Sequence, residues 1–155
     1  MPTRGHCLCR AIAYEFDGEP KWVVYCHCES CRRATSAPVT TYVGVKLDQF
    51  RYVKGGPAVY ESSAGVRRYF CSRCGSPMAY MADRYPGEIH LHAGTLADPN
   101  QVKPRAHVFA GEQLSWFEIA DDLRRYEALG GKGVVPLRVG PRPNTTEPGG
   151  SEIEA

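Results

Sequence analysis

Seven cysteines lie in the first half of the chain, in three tight groups: Cys7-Leu8-Cys9, Cys26-His27-Cys28-Glu29-Ser30-Cys31 and Cys71-Ser72-Arg73-Cys74. No other feature limits the possible folds so strongly. An odd number cannot pair entirely into disulfides, and in a reducing compartment a disulfide framework does not persist. Clustering of this kind reads as metal ligation. Two thiolates a few residues apart can grip one ion where the backbone turns tightly between them. Gly75, directly after the last pair, accepts at low cost the positive φ that such a turn requires. Thiolates select zinc, copper(I) or iron–sulfur clusters. The spacings do not match ferredoxin runs, and zinc is the commonest occupant of tetrahedral sulfur sites.

Seven ligands divide into four plus three. A closed structural zinc takes four protein ligands, and a catalytic zinc takes three with one exchangeable position. Cys7, Cys9, Cys71 and Cys74 then form the closed site, and Cys26, Cys28 and Cys31 the open one, giving two zinc ions per chain. A rival division pairs Cys28 and Cys31 with Cys71 and Cys74 as a zinc ribbon. It leaves Cys7, Cys9 and Cys26 as an odd remainder, and its intervening stretch is longer than the roughly 15–20 residues of a common double-CxxC site. His27, between two ligands, is expected to point away from the metal. No spacing singles out His6, His90, His92 or His107 as a fourth ligand.

Zinc with three thiolates carries a formal charge of −1. It is weak at activating water and better suited to capturing a further thiol, whose pKa coordination lowers from ~8.5. Arg32 and Arg33 follow Cys31 directly. They are candidates for charge compensation, or for forked pairing with a substrate carboxylate. A small thiol carrying carboxylates, such as glutathione, suits this chemistry. The alternative is a non-catalytic zinc module that binds a protein partner, because many small domains use such sites only to hold a fold together.

The remaining sequence bounds the architecture. With 155 residues there is material for one domain, and 43% hydrophobic against 23% charged residues excludes wholesale disorder. The net charge of 19 − 17 = +2, with basic residues scattered, argues against nucleic acid or an anionic membrane surface as partner. No apolar run approaches the roughly 20 residues of a membrane span, and the polar N-terminus suggests a cytoplasmic protein. Short β-like runs are expected at residues 11–16, 39–45, 50–53, 58–60, 66–70, 78–81 and 88–92, separated by turn dipeptides such as Asp17-Gly18 and Pro86-Gly87. The fold class is therefore mainly β, with short helical turns expected at Cys28 to Thr35, at Asp98 to Gln101 and, as a terminal helix, at Asp121 to Leu129. Residues 1–129 form the expected zinc-binding domain. From Gly130 onward 10 of 26 residues are glycine or proline, the composition of a flexible tail.

The three cysteine groups, in the contexts Gly5-His6-Cys7-Leu8-Cys9, Tyr25 to Arg33 and Phe70 to Ser76, resemble the family of glutathione-dependent formaldehyde-activating enzymes, which also includes centromere protein V. Ala93-Gly94-Thr95-Leu96-Ala97-Asp98-Pro99, Pro104 to His107 and Ser115 to Tyr126 resemble later signatures of that family, so the likeness spans about residues 3 to 128. It implies a β-tent fold of twisted antiparallel sheets held by zinc. It also implies a structural zinc at Cys7, Cys9, Cys71 and Cys74 and a second zinc at Cys26, Cys28 and Cys31. The implied activity is condensation of glutathione with formaldehyde, classed in reverse as a carbon–sulfur lyase. Three departures stand out: Ser36 occupies the place of a usual glycine, Ala97 that of a usual aspartate, and Asp121-Asp122-Leu123-Arg124 that of a usual Asp-Gly-Leu-Pro.

Overall fold

A computed structural model of the chain describes residues 1–130; beyond Gly130 the expected tail lies outside the described residues. The strands are β1 (Thr3–His6), β2 (Ala13–Phe16), β3 (Trp22–Cys26), β4 (Thr40–Lys46), β5 (Phe50–Lys54), β6 (Ala58–Ser63), β7 (Val66–Phe70), β8 (Pro77–Ala82), β9 (Glu88–His92), β10 (Ala106–Val108) and β11 (Arg124–Arg125), with one α-helix, α1 (Glu29–Thr35). The fold is mainly β. A three-stranded antiparallel sheet has the order β1-β2-β5, and an eight-stranded sheet the order β11-β10-β3-β4-β9-β8-β7-β6. Pairing in the large sheet is antiparallel except at one margin, where β10 runs parallel to both β3 and β11. No helix of the described residues is long and apolar enough to cross a membrane.

The period-two alternation of a strand sorts the side chains of the central strands into two cores. Val43 and Val45 of β4, Ala79 of β8, and Ile89 and Leu91 of β9 pack on one face with Ile12 and with Tyr14 and Phe16 of the small sheet. Tyr42 of β4 and Tyr80 and Ala82 of β8 pack on the other face with Cys26, Cys31, Val108 and Tyr126. The central strands are thus covered on both sides, which is why β4 reads as a nearly continuous β-branched and aromatic run. The first core also contains Cys7 and Cys71, so each core embeds one of the cysteine groups.

Glycine permits close approach at two places. Gly5 lies opposite Tyr14 in the β1–β2 register, where a Cβ would overlap the end of the phenol ring. Gly44 lies opposite Trp22 in the β3–β4 register, beneath the indole. At Asp98, the expected helical start is a single 3₁₀ turn over Pro99–Gln101, capped by the Asp98 carboxylate accepting from the Asn100 N–H at 3.0 Å.

The helix expected over Asp121 to Leu129 is not formed. Asp121 turns the chain by accepting from the Leu123 N–H (3.0 Å), and Arg124–Arg125 then pair with β10 as β11. The Tyr126 N–H donates to the His107 carbonyl, and the Phe109 N–H to the Ala128 carbonyl. Burial of Tyr126 against the second core outweighs a weak local helical preference, which a segment this short cannot sustain alone.

Candidate metal centres

The four-cysteine group joins two turns remote in sequence. Cys7 leaves β1 into a tight loop in which the Arg10 N–H donates to the Cys7 carbonyl, the Cys7 N–H to the Ile12 carbonyl, and the Ile12 N–H to Cys7 Sγ at 3.3 Å. Cys71 leaves β7 into a matching loop, closed by the Gly75 N–H on the Cys71 carbonyl (2.8 Å) with Gly75 at φ +75°. The Leu8 N–H donates to the Ser76 hydroxyl, which fastens one loop to the other. Hydrogen bonds from Ser76, side chain and backbone, hold the Cys74 thiol down to about 5. Cys7 Sγ lies 3.6 Å from Cys9 Sγ, which is 3.8 Å from Cys71 Sγ. Four sulfurs bound tetrahedrally at about 2.3 Å stand about 3.8 Å apart, so the group fits a metal of zinc's size and preference.

The three-cysteine group is built on the end of β3 and the start of α1. Cys26 closes β3, held between Thr40 and Val108 in the registers with β4 and β10. Cys28 caps α1, its Sγ accepting from the Cys31 N–H at 3.3 Å, and Cys31 lies buried one turn into the helix. The three Sγ atoms lie within 4.8 Å of one another, and no fourth Cys, His, Asp or Glu of the described residues joins them. Hydrogen bonding from Cys26 and then Cys28 pulls the Cys31 thiol far below its ordinary range, with Tyr42 and Arg68 acting in the same direction, while Cys26 is pushed far above it. The Tyr42 hydroxyl donates to Cys31 Sγ at 3.3 Å, and Arg68 Nη1 lies 3.8 Å from the same sulfur. A cluster that stabilises negative charge on sulfur in a buried setting is chemically matched to a cation.

Of the two arginines expected to meet substrate, Arg32 donates from Nε to the His27 carbonyl and from Nη2 to the Glu112 carbonyl, bracing the loop. Arg33 pairs with Glu29 at 2.9 Å and lines a cavity of about 500 Å³ between α1 and strands β6 to β9. Arg68 lines the same cavity, although its sequence context gives only a strand residue beside Arg67. The two neighbours face opposite ways: Arg67 meets Asp83 and Arg68 meets Cys31.

His27 points away from the cysteines into a buried chain. Its Nε2 lies 2.8 Å from His107 Nδ1, and His107 Nε2 lies 3.0 Å from an Asp121 carboxylate oxygen. The Asp121 carboxyl is depressed: burial opposes this, but the His107 hydrogen bond outweighs it. An ionised Asp121 accepts from His107 Nε2–H, and His107 Nδ1 and His27 Nε2 share the inner hydrogen bond of the chain. Burial first, and the neighbouring imidazole second, hold the His27 pKa down to about 4. Nothing in the sequence spacing announces this chain, since its members are 80 and 14 residues apart.

The class defined here is a mainly β domain with two cysteine groups that could each hold a metal ion, one of four sulfurs and one of three. The chain matches the family described as glutathione-dependent formaldehyde-activating enzyme over residues 2–112, and it belongs to that family. A Schizosaccharomyces pombe protein called an uncharacterized lyase is 33% identical over 124 residues, covering 78% of this chain and 88% of its own length. The crystal structure of a Rhodobacter sphaeroides protein shares the fold with a TM-score of 0.54 at 23% identity, covering 66% of this chain and 92% of its own.

Proposed function

We propose that the protein is a zinc-dependent carbon–sulfur lyase-type enzyme that condenses glutathione, or a similar small thiol, with formaldehyde or a related small aldehyde. The observation that carries this reading is the contrast between the two centres: four cysteines complete one, whereas three form the other beside an open cavity. Cys7, Cys9, Cys71 and Cys74 would hold a structural zinc, and Cys26, Cys28 and Cys31 the reactive one. Zinc bound by the trio supplies a Lewis acid that makes an incoming thiol acidic near neutral pH. Family membership and the lyase-named relative support the reaction class.

The addition needs no further reactant. A sulfur–carbon bond forms at the aldehyde carbon, the carbonyl π bond breaks, and its oxygen takes up the thiol's proton. This chain's residues prepare the site for it. Arg68 sets a positive charge beside a cluster that gains negative charge when a fourth sulfur arrives, and Tyr42 fixes Cys31 by its hydrogen bond. Burial of Cys26 and Cys31 keeps water from two of the three sulfurs. Cytosolic reducing conditions would keep all seven cysteines free for metal.

The test is metal stoichiometry combined with a glutathione titration of the cobalt-substituted protein, followed by formaldehyde consumption with glutathione present. Two metals per chain, one changing its spectrum with glutathione, and thiol-dependent loss of formaldehyde are expected. Two spectroscopically silent metals, or a single metal, would overturn the reading in favour of a structural zinc module with a protein partner.

A further inference from the structure

We propose that Arg68 and Arg33 form a carboxylate-reading pair that selects anionic thiols, so that specificity resides in the cavity wall and not in the metal centre. The inference deepens the proposed function and rests on a thiol reaching the three-cysteine centre. Arg68 is the hinge of the argument because it belongs to two places at once. It lines the cavity of about 500 Å³, and its Nη1 lies 3.8 Å from Cys31 Sγ. A ligand that lies in this cavity with its sulfur towards Cys31 meets this guanidinium.

The side chain is held for the task. Its Nε donates to the Ser62 hydroxyl at 3.2 Å, and its guanidinium carbon sits 5.2 Å from the centre of the Tyr80 ring. Half buried on an aromatic face, it has lost much of its hydration and rotamer freedom before any ligand arrives. A guanidinium offers five N–H donors in a planar fork, and Ser62, Cys31 and Tyr42 account for three partners, leaving donors over. Arg33, from the last turn of α1, faces the same space. Its pairing with Glu29 is between exposed groups and is weak enough to exchange for a ligand.

The rest of the wall supplies no competing acid. Ser30, Ser62 and Tyr60 give hydroxyls, His92 an imidazole that burial keeps neutral near pH 7, and no aspartate or glutamate lines the space. One held cation, Arg68, and a second, Arg33, whose exposed Glu29 partner can exchange, favour an anionic guest, and the volume lies in the range of small-ligand sites. A small thiol bearing one or two carboxylates, the sulfur at one end, matches both.

The test compares three probes on the full-length cobalt-substituted protein: glutathione, glutathione diethyl ester and 2-mercaptoethanol, with dissociation constants read from the metal's spectrum. Arg68→Gln is expected to weaken all three thiols through the lost counter-charge to sulfur, and to weaken glutathione by about tenfold more than the two thiols that carry no carboxylate, the loss of a charge-assisted hydrogen bond. Arg33→Gln, at an exposed position whose one ion pair is with the exposed Glu29, is expected to shift the same selectivity in the same direction. Equal weakening of all three thiols by Arg68→Gln would make Arg68 only a counter-charge for the sulfurs and overturn the assignment. Unchanged glutathione affinity in both variants overturns it as well. A wild-type protein that takes glutathione and its diester equally sinks the arginine pair alone, whereas one whose cobalt ignores every thiol sinks the proposed function with it.

Discussion

Cys28 carries two duties, as a member of the three-sulfur centre and as the N-cap of α1. Serine is a good N-cap, so Cys28→Ser keeps the helix start while removing a soft ligand. The expected result is a thermal transition within about 1 kcal/mol of wild type and a cobalt spectrum that no longer responds to glutathione. Global unfolding of the variant would instead assign the trio a purely structural role. Ser36 shows how a departure in sequence translates into backbone. It ends α1 in the left-handed region at φ +52°, its N–H bonded to the Arg32 carbonyl. Glycine occupies such positions at least cost, which gives a physical reason for the glycine usual in the family. That position was legible in the sequence, whereas Arg68 was not. Its importance depends on Cys31, 37 residues earlier, arriving beside it.

Among the elements, the β1–β2 hairpin and β9 each allow a specific prediction. The Tyr14 hydroxyl lies 2.8 Å from Thr95 Oγ1 and the phenol covers Gly5, while the Gly5 backbone also bridges to Leu96. Gly5→Ala forces a methyl group against that ring and is expected to cost about 1–3 kcal/mol by overpacking, read as a lowered denaturation midpoint. In β9, His90 is buried among Trp22, Tyr80 and Tyr85. Burial lowers its pKa, and the Glu88 carboxylate only partly counters this. The unfolded chain then binds more protons than the folded one below the ordinary value of about 6.5, so His90 contributes stability above that pH and loses it on acidification. His90→Gln should give a shallower fall in stability between about pH 7 and 5 than wild type. Parallel curves would mean that the imidazole titrates alike in both states. Most strands were foreseeable from alternation, but Thr3–His6, Trp22–Cys26 and Ala106–Val108 were not expected. The first and last of these are too short and mixed in polarity to signal themselves.

At the scale of the whole molecule, the four-cysteine centre is the fastening between the small sheet's first hairpin and the far side of the large sheet. Its sulfurs come from the loops after β1 and β7, and two of its members are buried in the first core. Cys71→Ser should therefore destabilise the entire domain by several kcal/mol, since a structural zinc contributes on the order of 10 kcal/mol of folding free energy. Chelator treatment of wild type should lower the melting transition in the same way. A Cys71→Ser protein that melts with wild type would remove this centre from the folding balance.

The sequence by itself determined the grouping that could hold metal: seven cysteines in spaced groups, gathered as four and three, together with the mainly β class and the family. These follow from residue type and local spacing, because a thiolate pair across a tight turn is a short-range object. Tertiary structure alone decided what surrounds those cysteines. It recruited Arg68 and Tyr42 to Cys31, linked His27 to His107 and Asp121, and laid the Arg124–Arg125 segment against β10 instead of letting it coil into a helix. Each of these is a contact between residues far apart along the chain, and its free energy exists only once the sheets have brought the partners together.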